Sequence, residues 1–234
     1  MVLSVRASLS RVARGFIGAI FALSLTGAAS ADSPRILTIG DSLMASHALT
    51  GRSISGYLSK ELGVPVSDRS VLGAHMVYKL PITGALGMSI PKQMRSGNWD
   101  YVVMTGGGND LWLGCGCARC DRKMNKLISK NGTKGAIPKL MAKIRATGAE
   151  VIYVGYLRSP EINTPIEHCK DEGDALEARI EDLATRVPGV HYVSNKDLVP
   201  AGDLSFFAAD RIHPSLKASK AIAGRVAALI ANAQ

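Results

Sequence analysis

Three short stretches of the chain hold residue types able to do covalent chemistry. The first is Gly40-Asp41-Ser42-Leu43, directly after a short apolar run at residues 35–39. A serine between a strand end and a helix start stands at the crevice of an α/β sheet, where free backbone N–H groups can hold an oxyanion. Gly-Asp-Ser is also an ordinary turn and helix cap, so the motif alone carries little. The second stretch is Asp210-Arg211-Ile212-His213-Pro214. A carboxylate three residues before an imidazole can reach Nδ1 within one turn and leave Nε2 for another partner, which makes a general base with its orienter. Pro214 biases His213 toward an extended backbone, suited to a residue reaching from a loop. Alone, this pair reads first as a surface cap on the last helix. The third stretch is Gly106-Gly107-Gly108-Asn109-Asp110, after the β-rich run 100–105. Its glycines permit close backbone approach and the Asn amide supplies donors. It lacks the Lys-Ser/Thr ending of a phosphate loop and the spacing of a dinucleotide fingerprint. Gly73, in Val71-Leu72-Gly73-Ala74, follows a weaker strand candidate and means little by itself.

These residues need elements to position them. Strand candidates fall at 35–39, 64–71, 100–105, 150–156 and 190–193. Between them lie helical stripes: Ile54, Leu58 and Leu62 within 51–62; Ile137, Leu140, Met141 and Ile144 within 134–147; Leu176, Ile180, Leu183 and Ala184 within 172–187. A last helix, 214–233, opens at Pro214 and Ser215. Strands alternating with helices indicate one α/β domain with a mostly parallel sheet. Its ligand crevice lies at the carboxyl ends of the strands. Two segments break the rhythm: 111–130, with three cysteines, and 158–171, with the fourth.

The chain has 234 residues, 47% of them hydrophobic, which excludes a disordered chain. Residues 1–31 read as a secretory signal peptide. Arg6, Arg11 and Arg14 form its positive end, residues 15–25 an apolar stretch too short to span a bilayer, and Ala29 and Ala31 the small residues of a cleavage site. Cleavage leaves a domain of residues 32–234, periplasmic or secreted. Without the leader, 25 basic residues face 19 acidic ones, a modest surplus read as spread along the chain. It suits a soluble basic protein better than a partner of an anionic polymer or membrane surface. No Lys/Arg block interleaved with aromatics supports nucleic-acid binding, and no later apolar run has the length of an integral membrane segment.

Cys115, Cys117, Cys120 and Cys169 form an even set, which in an exported protein favours disulfides. Bridging Cys115 to Cys117 closes the most strained ring, so one bond is expected within the cluster and one from it to Cys169. A zinc site of four thiolates is the alternative. A link to Cys169 would join the two irregular segments into one stapled lobe beside the crevice.

Taken in order, Gly40-Asp41-Ser42-Leu43, Gly73, Gly107-Gly108-Asn109-Asp110 and Asp210-x-x-His213 resemble the hallmark blocks of the SGNH hydrolase superfamily, also called GDSL esterases or lipases. The resemblance runs from about residue 35 to the C-terminus. It implies a flavodoxin-like three-layer α/β/α sandwich with about five mostly parallel strands. It implies a serine esterase in which Ser42 is the nucleophile, His213 the base and then the acid, and Asp210 the orienter. The oxyanion hole would combine the backbone N–H groups of Ser42 and Gly73 with the Asn109 amide. No metal or organic cofactor is implied. The substrate would be a small-molecule, lipid or glycan ester, and acyl transfer to a sugar hydroxyl uses the same route. Met44 stands where many members carry a small polar residue and is expected to alter the pocket floor. The insertion 111–130 is expected to border the acyl pocket, as specificity element or as staple, with Trp112 and Met124 either lining the pocket or packing the lobe. His47, His75, His168 and His191 show no metal-ligand spacing, and His75 is the one expected to reach the crevice. A two-metal phosphoesterase would need Asp-x-His and Gly-x-His-x-His blocks, which the sequence lacks. A non-catalytic glycan-binding module is disfavoured by the joint presence of Ser42, Asn109, Asp210 and His213.

Overall fold

The computed structural model describes Met1 and residues 33–159, 161 and 164–233. Five short strands, β1 (Ile36–Ile39), β2 (Val66–Asp68), β3 (Tyr101–Met104), β4 (Glu150–Val154) and β5 (Val190–Val193), form one sheet in the order β2-β1-β3-β4-β5. Every neighbouring pair is parallel. Helices fill the connections: α1 (Ser42–Ala45) and α2 (Ile54–Leu62) after β1, α3 (Pro81–Thr83) and α4 (Ile90–Gln93) after β2. After β3 come α5 (Gly108–Cys115), α6 (Asp121–Leu127) and α7 (Ala136–Arg145); α8 (Lys170–Arg186) follows β4 and α9 (Leu216–Asn232) follows β5.

β1 and β3 are buried at every position, which is why their sequences, ILTI and YVVM, are almost wholly apolar rather than alternating. Successive side chains still leave opposite faces. Leu37, Ile39, Val102, Met104, Val151 and Tyr153 enter one core with residues of α5 to α8. Ile36, Tyr101, Val103, Ile152 and Val154 enter the other with residues of α1, α2 and α9. The result is the α/β/α sandwich implied by the resemblance. Serine oxygens start the two helices of the second layer: Ser53 accepts from Gly56 N, and Ser215 from Ala218 N. Pro214 therefore sits ahead of the cap rather than in the first turn of α9.

The strand order reverses between β1 and β3, whose following connections run to opposite faces and leave a crevice at their carboxyl ends. β2 is shorter than the run 64–71 that suggested it. Segment 72–100, without a predicted element, holds α3, a π-helical turn (Gly84–Met88) and α4. Turns of three to five residues are too short to build a periodic signal. The four cysteines pair as Cys115 with Cys120 and Cys117 with Cys169, leaving no free thiol among the described residues and no thiolate for zinc. All of these elements lie in one compact unit, Ser33–Gln234. The expected leader lies outside the described residues. Among those described, no helix is long and apolar enough to cross a membrane.

Candidate active site

β1 ends in Gly40, and Asp41 then caps α1 by accepting from Leu43 N at 3.0 Å. Ser42 is the first residue of α1. Among the described residues its Oγ makes no hydrogen bond. At the other end of the chain, Asp210 folds a tight turn by accepting from Ile212 N and His213 N, both at 3.0 Å, through Oδ1. Its Oδ2 lies 2.6 Å from His213 Nδ1. Partial desolvation raises the Asp210 pKa, but the His213 ring and the two N–H donors outweigh it and hold the carboxyl down to about 2. A carboxylate at Nδ1 favours the tautomer protonated there, leaving Nε2 as the acceptor.

β3 ends in the glycine run that starts α5. Gly107 takes φ +115°, which a side chain would strain. Gly108 is approached so closely that a Cβ there would stand 2.9 Å from the Tyr156 ring. Asn109 Nδ2 donates to Ala74 O at 3.0 Å, and Asp110 accepts from Met76 N and Val77 N at 2.8 and 2.9 Å. These bonds fasten the loop after Gly73 to the start of α5. One Asn109 hydrogen is used, and the amide retains a second.

Ser42, Asn109 and His213 line a single cavity of about 140 Å³. Leu111, Trp112, Leu157, Ile166 and Leu176 make much of its wall apolar, and Cys117 and Cys169 also face it. The insertion therefore borders the pocket, as expected, and Trp112 lines it while Met124 is buried in the core. Three expectations need correction or adjustment. Gly73 is not on the cavity wall; it lies in the turn closed by Ala74 N to Val71 O at 3.1 Å. Met44 is fully buried in the core with α2 and α9 and does not form the pocket floor. His75 does not reach the cavity, because its backbone pairs with Ser89 and its ring packs 5.9 Å from Tyr78.

Three supporting residues had no local signal in the sequence. Tyr156 OH donates to Asp41 Oδ2 at 2.5 Å and accepts from Gly108 N at 3.0 Å, joining the Ser42 turn to the Asn109 turn. Burial pushes the Asp41 carboxyl up, and the bonds from Tyr156 and Leu43 N oppose it. Glu177, almost wholly buried, accepts from Tyr156 N at 2.7 Å, from Arg158 and from Tyr192. Gln93 clamps Gly40 through both of its backbone polar atoms, at 2.7 and 2.9 Å. Partners 53 and 115 residues apart leave no periodicity to read.

The sequence profile of the GDSL-like lipase/acylhydrolase family matches residues 38–221. No curated protein matches the chain. Among solved structures, a protein from Slackia heliotrinireducens assigned to the SGNH hydrolases is 20% identical, with TM-score 0.57, over 85% of this chain and 100% of that one. The psychrotrophic esterase EstA from Pseudoalteromonas sp. is 17% identical, with TM-score 0.56, over 85% of this chain and 97% of that one. A carbohydrate esterase family 2 enzyme from Corynascus thermopiles is 18% identical, with TM-score 0.58, over 88% of this chain and 68% of that one.

Proposed function

The chain belongs to the GDSL-like lipase/acylhydrolase family and is an ester-hydrolysing enzyme; on that premise we propose that it is an exported serine esterase for esters of small acyl groups. Ser42 attacks the ester carbonyl while His213 takes its proton, and Asp210 holds the imidazole in place. The acyl group passes to Ser42 Oγ, and the proton goes from His213 to the leaving alcohol. Water, activated by the same imidazole, then releases the acid. The backbone N–H of Ser42 and the second hydrogen of the Asn109 amide, both on the cavity wall, stabilise the oxyanion. The Ser42–His213 hydrogen bond closes when substrate is bound, as catalytic hydrogen bonds often do.

The observation that carries this reading is the 2.6 Å Asp210–His213 contact at a cavity whose wall also holds Ser42 and Asn109. Acyl size follows from the space. The cavity, about 140 Å³, is close to the roughly 150 Å³ that accepts one benzene ring, so acyl groups of a few carbons fit inside it. Export of the domain 32–234 is supported by the leader-like residues 1–31 and by two disulfides, which persist in oxidising compartments.

The test is hydrolysis of p-nitrophenyl acetate, butyrate and laurate by the purified protein. Acetate and butyrate are expected to be turned over, and laurate poorly. Ser42→Ala and His213→Ala are each expected to remove nearly all activity, and EDTA none. Full activity in Ser42→Ala would overturn the nucleophile, and loss with EDTA the metal-free route.

A further inference from the structure

Among the described residues of the compact unit, the large hydrophobic side chains that stand in solvent are Leu49, Leu72, Leu80, Ile82, Leu86 and Leu113, each at least 60% exposed. All six lie on the connections that follow β1, β2 and β3. Ile82 and Leu86 are four residues apart in the continuous helical run formed by α3 and the π-helical turn, so they share one side of it. Ile82 and Leu86 thus form an exposed apolar pair, the kind of patch that marks an interaction surface.

Charge is distributed with the same bias. Residues 33–130 carry 12 basic and 6 acidic residues, and two of those acids, Asp41 and Asp110, are buried. Residues 131–234 carry 13 basic and 12 acidic residues. Along the chain the surplus therefore falls within residues 33–130, the segment that also bears the exposed aliphatic side chains, and is not evenly spread. Arg69, Lys92 and Arg95 line a depression of about 240 Å³ together with Leu86. Asp68 is the one carboxylate on that wall, and it accepts from Ser70 and Thr38.

We propose that this face docks on an anionic phospholipid surface. Ile82 and Leu86 enter the headgroup layer, and Arg69, Lys92 and Arg95 meet lipid phosphates. A soluble polyanion would engage the cations but leave the aliphatic side chains in water. A second copy of the chain would set the cations against their own kind. Only an interface both apolar and negative satisfies the two features together. The candidate catalytic cavity opens along the same carboxyl edge of the sheet, so docking would present it to esters in or on the membrane.

The inference does not rest on the catalytic assignment, and binding is its readout. The purified chain is pelleted with phosphatidylcholine vesicles, with and without about 30% phosphatidylglycerol, at low salt and at about 0.5 M salt, where screening is short-ranged. Binding is expected to the anionic vesicles, at least tenfold weaker without phosphatidylglycerol or at high salt. The double variant Ile82→Ser/Leu86→Ser is expected to lose about tenfold in vesicle affinity while keeping its unfolding midpoint and its turnover of p-nitrophenyl acetate. Equal binding by that variant, or equal binding to neutral vesicles, would overturn the proposal. No pelleting, with heparin binding unaffected by the two substitutions, would assign the cations to a soluble polyanion instead. Vesicle-independent dimerisation lost in the variant would assign the face to a second copy.

Discussion

Tyr156→Phe removes a single oxygen that serves two buried partners, so its cost can be worked from the structure. The hydroxyl donates to the Asp41 carboxylate at 2.5 Å and accepts from Gly108 N at 3.0 Å. Losing a bond to a charged group and orphaning a backbone N–H together amount to about 2–4 kcal/mol. The penalty depends on pH, and its sign follows from Asp41. Burial raises the folded pKa of Asp41 above 3.8, with Tyr156 the largest opposing influence. A carboxyl that binds its proton more tightly when folded contributes stability below its unfolded pKa and loses it as pH climbs toward the folded value. Without the Tyr156 bond the folded pKa rises further, so the loss extends to higher pH. The variant is therefore expected to be less destabilised near pH 4.5 than near pH 7.5, measured by urea unfolding followed by circular dichroism. Turnover of p-nitrophenyl acetate should fall about 10–100-fold with little change in KM, since the Ser42 and Asn109 turns lose their common strut. Stability within about 0.5 kcal/mol of the parent at both pH values, or a larger penalty in acid, would refute this reasoning.

Asp210→Asn should lower kcat by roughly 10⁴ while leaving the circular dichroism spectrum unchanged, because the amide no longer selects the productive imidazole tautomer. Asp210 has a depressed folded pKa of about 2, so its contribution to stability is complete above its unfolded value and fades only as pH falls toward 2. Unfolding midpoints measured from pH 5 to pH 2 should fall less steeply in the variant than in the parent, since Asp100, Asp197 and Asp203, whose pKa values are also lowered, remain in both. Replacing Cys117 and Cys169 by serine opens a loop with a sequence separation of 52 and is expected to cost about 4 kcal/mol; the pair Cys115 and Cys120, separated by 5, about 2 kcal/mol. Thermal unfolding of the two double variants should preserve that order.

What the sequence made legible was whatever the chain writes locally. β1, β3 and β4 are apolar runs, and the chemistry-bearing Ser42 and Asn109 follow the first two after a glycine stop. Asp210 and His213 lie within one turn, so their contact could be read from spacing alone. Met44 and His75 depart from expectation for one reason: adjacency to a motif in sequence is not adjacency to the cavity. On a one-turn helix, neighbouring side chains point in different directions, and Met44 turns into the core beside Gly40. Gln93, Tyr156 and Glu177 were missed because a polar strut between distant segments has no period. The imbalance of charge between residues 33–130 and 131–234 disappears when charge is summed over the whole chain.

The bond between Cys117 and Cys169 runs through the cavity wall itself, since both cysteines line the cavity. A wall of packed side chains can breathe to admit a bulkier guest, but a covalent tether fixes the separation of the segments it joins. Selection by size at this rim then works like a fixed gauge and not like an elastic grip, and breadth of substrate should be regained only by cutting the tether.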